Sequence, residues 1–123
     1  MQIFRFDRDS ARPIPAFGST NAYIARGVRT PGPTQIGCFY LEPGGVVGYH
    51  QATCPQLLLV VQGEGWVRAG DGARVPVKAG DALFWEAGEW HETGTDSGLM
   101  ALPIEAEGLN PGQFMPVKEA QIS

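Results

Sequence analysis

His50 and His91 are the only histidines in this chain. With Gln56 and Cys54 they make a short inventory of groups able to do chemistry. An imidazole can ligate a metal or anchor a polar molecule through a directional hydrogen bond. A carboxamide such as Gln56 offers a neutral carbonyl oxygen and an N–H donor. Cys54 lies between His50 and Gln56, where a thiolate would serve as a soft ligand or as a nucleophile activated by an imidazole. Pro55 follows directly and predicts a bend, so the face on which the thiol lies stays open. An inert buried thiol is the plainer expectation.

The elements that must position these groups are short. Seventeen glycines and ten prolines interrupt the chain every few residues, which leaves no room for long helices. Between the breaks, residues 2–6, 22–26, 36–42, 57–61, 65–68, 74–77, 82–85 and 99–104 are rich in β-branched and aromatic side chains. Runs of that length and composition predict an all-β sandwich or barrel. The sequence Ala69-Gly70-Asp71-Gly72 reads as a hairpin turn, because Asp-Gly supplies left-handed dihedrals. Residues 8–20 and 30–33 read as surface loops, and the tail from Asn110 as irregular, with a short helical turn over residues 117–120. Along a strand, residues two apart share a face. His50 and position 52 therefore point one way, and Gln56, Leu58 and Val60 share a second face. A barrel that curls both faces and His91 toward one mouth gathers the three polar groups in a lined cavity.

The spacing of particular residues adds a resemblance. Gly44, His50, Ala52, Gln56 and Gly63 stand at the intervals of the first motif of the cupin superfamily. Gly80, Glu86, Gly88, His91 and Thr95 stand at those of the second. The phrase Val60-Val61-Gln62-Gly63-Glu64-Gly65 between them is also cupin-like. The resemblance implies an antiparallel jelly-roll barrel in a single domain over residues 1–123. Its core barrel would span about residues 35–106, with N-terminal strands and the C-terminal tail packed on it.

It also implies a metal site, and here the chain departs from the pattern. Metal-binding cupins use three histidines and a glutamate, whereas this chain has Ala52 for one histidine and Gln56 for the glutamate. Alanine cannot ligate, and a neutral amide oxygen does little to offset a dication. The resemblance then leaves His50, Gln56 and His91 as metal candidates for Zn, Mn, Fe or Ni. Glu86 replaces the proline of the second motif, where a carboxylate would restore charge or act as a weak candidate general acid or base. Cys54, Glu86 and Trp90 are expected to line the ligand cavity, with Trp90 at its rim. Trp66, Phe84 and Trp85 read as core or subunit contacts.

Composition narrows the function classes. Nine Lys/Arg against thirteen Asp/Glu give a net charge of −4, with no basic cluster to hold a phosphate backbone. The longest apolar run, residues 57–61, is far too short for a membrane span. With no stretch resembling a signal peptide, the expected compartment is the cytoplasm, and Cys38 and Cys54 are expected as free thiols. Residues 57–61 are apolar on both faces, and each face needs a cover, so a homodimer is expected. Two functions lead: a metal-dependent cupin acting on a small polar or aromatic molecule, and a metal-free barrel that binds or senses one. A third, a dimerisation unit without a ligand, is permitted by the low share of charged residues but favoured by nothing specific. Whether the chain is an enzyme is left open.

Overall fold

In the computed structural model, which describes residues 1–118, the chain forms eleven strands. They are β1 (Gln2–Arg5), β2 (Arg12–Pro13), β3 (Tyr23–Ile24), β4 (Gln35–Ile36), β5 (Phe39–Leu41), β6 (Val46–Gln51), β7 (Gln56–Ala69), β8 (Val75–Lys78), β9 (Asp81–Trp85), β10 (Trp90–Gly94) and β11 (Leu99–Glu105). Two 3-10 turns, Arg8–Ser10 and Pro111–Gln113, are the only helical elements among the described residues. Nine strands join into one antiparallel sheet, and β2 and β3 pair only with each other. The architecture is all-β and antiparallel, as the residue pattern predicted.

β7 organises the sheet. Its first residues pair with β9 and β11, and its last residues pair with β8 and β10. Residues 57–61 and 65–68, which read as separate runs, are one strand with a corner between them. Gly63 makes that corner with a φ of 83°, and the β11 register shifts just before it, between Val60 and Gln62. A Cβ at Gly63 would overlap the carbonyl of Gly98, and one at Gly65 would overlap that of Gly94. Only a residue without a side chain lets the strands approach this closely.

Alternation along β7 divides the core in two. Leu58 and Val60 face the barrel interior with Leu83, Trp85, Leu99 and Ala101. Leu57 and Leu59 face outward onto Phe4, Phe84, Ile104, Leu109 and Met115. Leu57 and Leu58 are essentially inaccessible, and burial at that level contributes about 1.5–3 kcal/mol for each side chain. The second apolar face, which the sequence suggested a partner subunit would cover, is covered by the chain's own β1 and residues 104–115. The tail is fastened there: Arg5 N–H donates to Pro116, Lys118 N–H donates to Ile3, and Lys118 Nζ lies 2.8 Å from Asp81 Oδ2.

Three local expectations change. Residues 8–20 are not simply a loop, since they contain a 3-10 turn and β2. β6 and β10, which carry both histidines, were not among the runs read as strands. Gly48, Gln51, Glu92 and Gly94 dilute their β signal, and pairing with neighbours supplies what propensity lacks. Val117 bridges Phe4 in extended form, and the rest of the turn expected over residues 117–120 lies outside the described residues.

Candidate functional site

The histidines meet through strand pairing. β10 runs antiparallel to β6 with His91 opposite His50, and directly paired residues share a face. Their ring centroids are 4.3 Å apart with planes at 58°. Trp85, at the end of β9, also stacks on His91, with centroids 4.3 Å apart and planes at 19°. Trp85 is opposite Gln56 in the β7–β9 register, and Gln56 is opposite Glu105 in the β7–β11 register. These pairings turn Gln56, Trp85 and Glu105 to the same interior face as Leu58 and Leu83. One end of the barrel thus carries both imidazoles, the indole, the carboxamide and a carboxylate.

Each ring is held by its own backbone. His50 Nδ1 lies 2.7 Å from the Gly48 carbonyl, and His91 Nδ1 lies 3.2 Å from that of Glu89. A carbonyl oxygen only accepts, so Nδ1 donates in both rings and Nε2 keeps its lone pair in the neutral form. Among the described residues neither Nε2 has a hydrogen-bond partner. His50 is exposed, while His91 lies behind it at 3% exposure. Burial pushes the His91 pKa down and the neighbouring His50 adds to this, against opposing pulls from the Glu89 carbonyl and carboxylate. The buried ring is accordingly neutral at physiological pH.

Gln56 is buried, and its amide nitrogen donates to Glu105 Oε1 at 3.2 Å. Sequence reasoning missed Glu105, which stands at the end of β11, far along the chain. The signal was there in retrospect. The first motif has lost its carboxylate at position 56, and a carboxylate returns on the neighbouring strand. Trp85 was read as core, and it is core at 1% exposure, but it also forms the wall behind His91. Its Nε1 is buried without a hydrogen-bond partner among the described residues.

The other candidates lie elsewhere. Trp90 is on the opposite face of β10 from His91 and packs on Tyr49 with centroids 5.3 Å apart, so it belongs to the outer surface and not to the rim. Glu86 is exposed in the turn between β9 and β10, where its backbone N–H donates to Glu89 Oε1, one position past inward-facing Trp85. Cys54 sits in the connection between β6 and β7, so strand parity does not apply to it. Burial, then the carboxylates of Glu105 and Glu107, raise its thiol pKa, which opposes thiolate chemistry. Cys38 and Cys54 are both free.

A metal centre of the four-donor kind does not fit these residues. The Ala52 methyl is buried and has no donor, and Gln56, whose amide nitrogen donates to Glu105, brings only a neutral carbonyl oxygen. Among the described residues no three His, Cys, Asp or Glu side chains are grouped to hold a metal ion. What remains is a pair of imidazole nitrogens.

Comparison with known proteins decides the family. The cupin domain family model matches residues 37–103, more than half of the chain. The chain is a cupin. Solved structures agree on the fold. A cupin superfamily protein from Desulfitobacterium hafniense is 19% identical, with 87% of this chain and 99% of that one covered at a TM-score of 0.57. A cupin-like protein from Thermotoga maritima is 25% identical over 61% of this chain and 58% of that one, with a TM-score of 0.58. A structure described as a predicted oxalate decarboxylase, also from Thermotoga maritima, is 29% identical over 58% of this chain and 64% of that one, at a TM-score of 0.54. This cupin thus spans less than two thirds of each Thermotoga protein. No curated protein matches the chain. No helix among the described residues is long and apolar enough to cross a membrane.

Proposed function

We propose that this cupin binds a small polar or aromatic molecule at the barrel end formed by His50, His91, Trp85, Gln56 and Glu105, without a four-donor metal centre. The observation that carries the reading is the facing pair of imidazoles, one exposed and one buried, each with Nδ1 on a backbone carbonyl. Two unpartnered Nε2 acceptors and the Glu105 carboxylate favour a ligand rich in hydroxyl, amine or amide donors. The Trp85 indole, stacked on His91, backs that ring from within the core. No group is assigned to a chemical step, so binding is proposed and catalysis is not.

A second reading has one observation in its favour. An N–H donated from Nδ1 to a carbonyl is how metal-bound histidines are commonly oriented, so the pair would hold a divalent ion of the Zn, Mn, Fe or Ni class weakly. Elemental analysis of protein purified without a histidine tag, with melting curves in each ion, separates the readings. The binding reading expects no stoichiometric metal and unchanged melting. One metal per chain that disappears in His50→Ala overturns it in favour of the second. The homodimer is likewise a proposal, now supported by the exposed Tyr49 and Trp90 on the outer face of β6 and β10. Light scattering at micromolar concentration tests it, and a monomer ends it.

A further inference from the structure

The hairpin of β2 and β3 stands apart from the main sheet and lies within the basic N-terminal part of the chain. Five of the nine Lys/Arg side chains lie within the first 29 residues, with only two of the thirteen acids. Arg12 is opposite Ile24, and the Ile14 N–H donates to the Ala22 carbonyl, so Arg12, Ile14 and Ile24 share a face. That face and the turn ending at Phe114 enclose a cleft of about 780 Å³ whose lining includes Arg12, Ile14, Phe17, Ile24, Arg26 and Phe114. No acidic side chain among the described residues lines it. Among the described residues neither Arg12 nor Arg26 forms an ion pair. The Arg26 guanidinium lies 6.0 Å from the centroid of the Phe114 ring. Phe17, at the tip, is 97% exposed and has a φ of 62°, a conformation that a bulky residue rarely adopts.

We propose that this cleft is a second binding site, for a small amphipathic anion with a carboxylate or phosphate head on an apolar body. The volume lies within the range of small-molecule sites. Guanidinium groups pair with both kinds of head through two parallel hydrogen bonds. Ile14, Ile24, Phe17 and Phe114 offer walls for the hydrocarbon part. The lining shares no residue with the barrel end, so the site stands or falls independently of the function proposed above.

The fluorescent probe 8-anilinonaphthalene-1-sulfonate, displaced by decanoate, decyl phosphate or decanol below their micellar concentrations, tests the site on the full chain. Saturable probe binding is expected, with displacement by decanoate and decyl phosphate at least about tenfold stronger than by decanol. Whichever anion displaces better identifies the preferred head. Binding to the unaltered protein should weaken as salt rises. The double variant Arg12→Gln/Arg26→Gln should lose about tenfold or more in affinity. Its side chains are exposed, so an unchanged melting curve is expected alongside, and His50→Ala should bind as the parent does. Equal displacement by decanol, salt-independent binding, or no saturable binding overturns the proposal. So does a double variant that binds normally, or one whose mass by light scattering shows that a second copy had filled the cleft.

Discussion

Gln56→Glu restores the glutamate of the first cupin motif, and here it should damage the protein. The new carboxylate would sit where the amide nitrogen now donates to Glu105 Oε1 at 3.2 Å. At an effective dielectric of about 20, two negative charges at that distance repel by about 5 kcal/mol. Glu105 is half-buried, so screening and rotation reduce this to about 2–3 kcal/mol, and the lost hydrogen bond to a charged acceptor falls within the same figure. Urea unfolding of parent and variant at pH 8 and pH 5 measures it. The deficit should be full at pH 8 and should shrink toward pH 5. A carboxyl pair sharing one site takes up a proton that the unfolded chain does not hold until lower pH, so acidification favours the folded variant relative to the parent. The exchanged pair Gln56→Glu/Glu105→Gln should recover most of the loss. Equal stability of Gln56→Glu and parent at pH 8, or no recovery in the exchange, would refute the coupling of these two side chains.

Three further outcomes follow from the same geometry. The parent's stability should decline as pH falls below about 6.5, because burial holds the His91 pKa down. Near pH 6 the unfolded chain binds the proton more readily, so the contribution is present above that range and lost on acidification. His91→Gln should flatten the dependence in a melting series. Gly65→Ala should destabilise by more than about 2 kcal/mol in urea unfolding, since its Cβ meets the Gly94 carbonyl and the backbone must move. A mild outcome there would argue against the close crossing of β7 and β10. Cys54 should react with a disulfide reagent at pH 7.5 more slowly than a free small-molecule thiol, as its raised pKa requires, and a fast reaction would contradict its placement.

How far the site was legible depends on which physical signal each residue carries. Gly63, Gly80 and Gly88 have φ of 83°, 98° and 89°, conformations that glycine alone adopts freely, so their spacing exposed the turns of a barrel before any coordinates. His50 and His91 fell on the same framework. Trp90 was misplaced because adjacency to His91 was taken as proximity, whereas neighbours on a strand point to opposite faces. Glu86 was singled out because it replaces the proline of the second motif, and it lies exposed in the turn after β9.

By itself the sequence determined the all-β class, the barrel turns and the positions of the two imidazoles, because those depend on local dihedral needs and on alternation. Tertiary structure alone decided what surrounds them. Register across β7, β9 and β11 put Glu105 on Gln56 and Trp85 against His91. The closing of β1 and residues 104–115 over Leu57 supplied the cover that a partner had been expected to give. Contacts between residues dozens of positions apart leave no period or propensity in a single chain, and only the pairing of strands creates them.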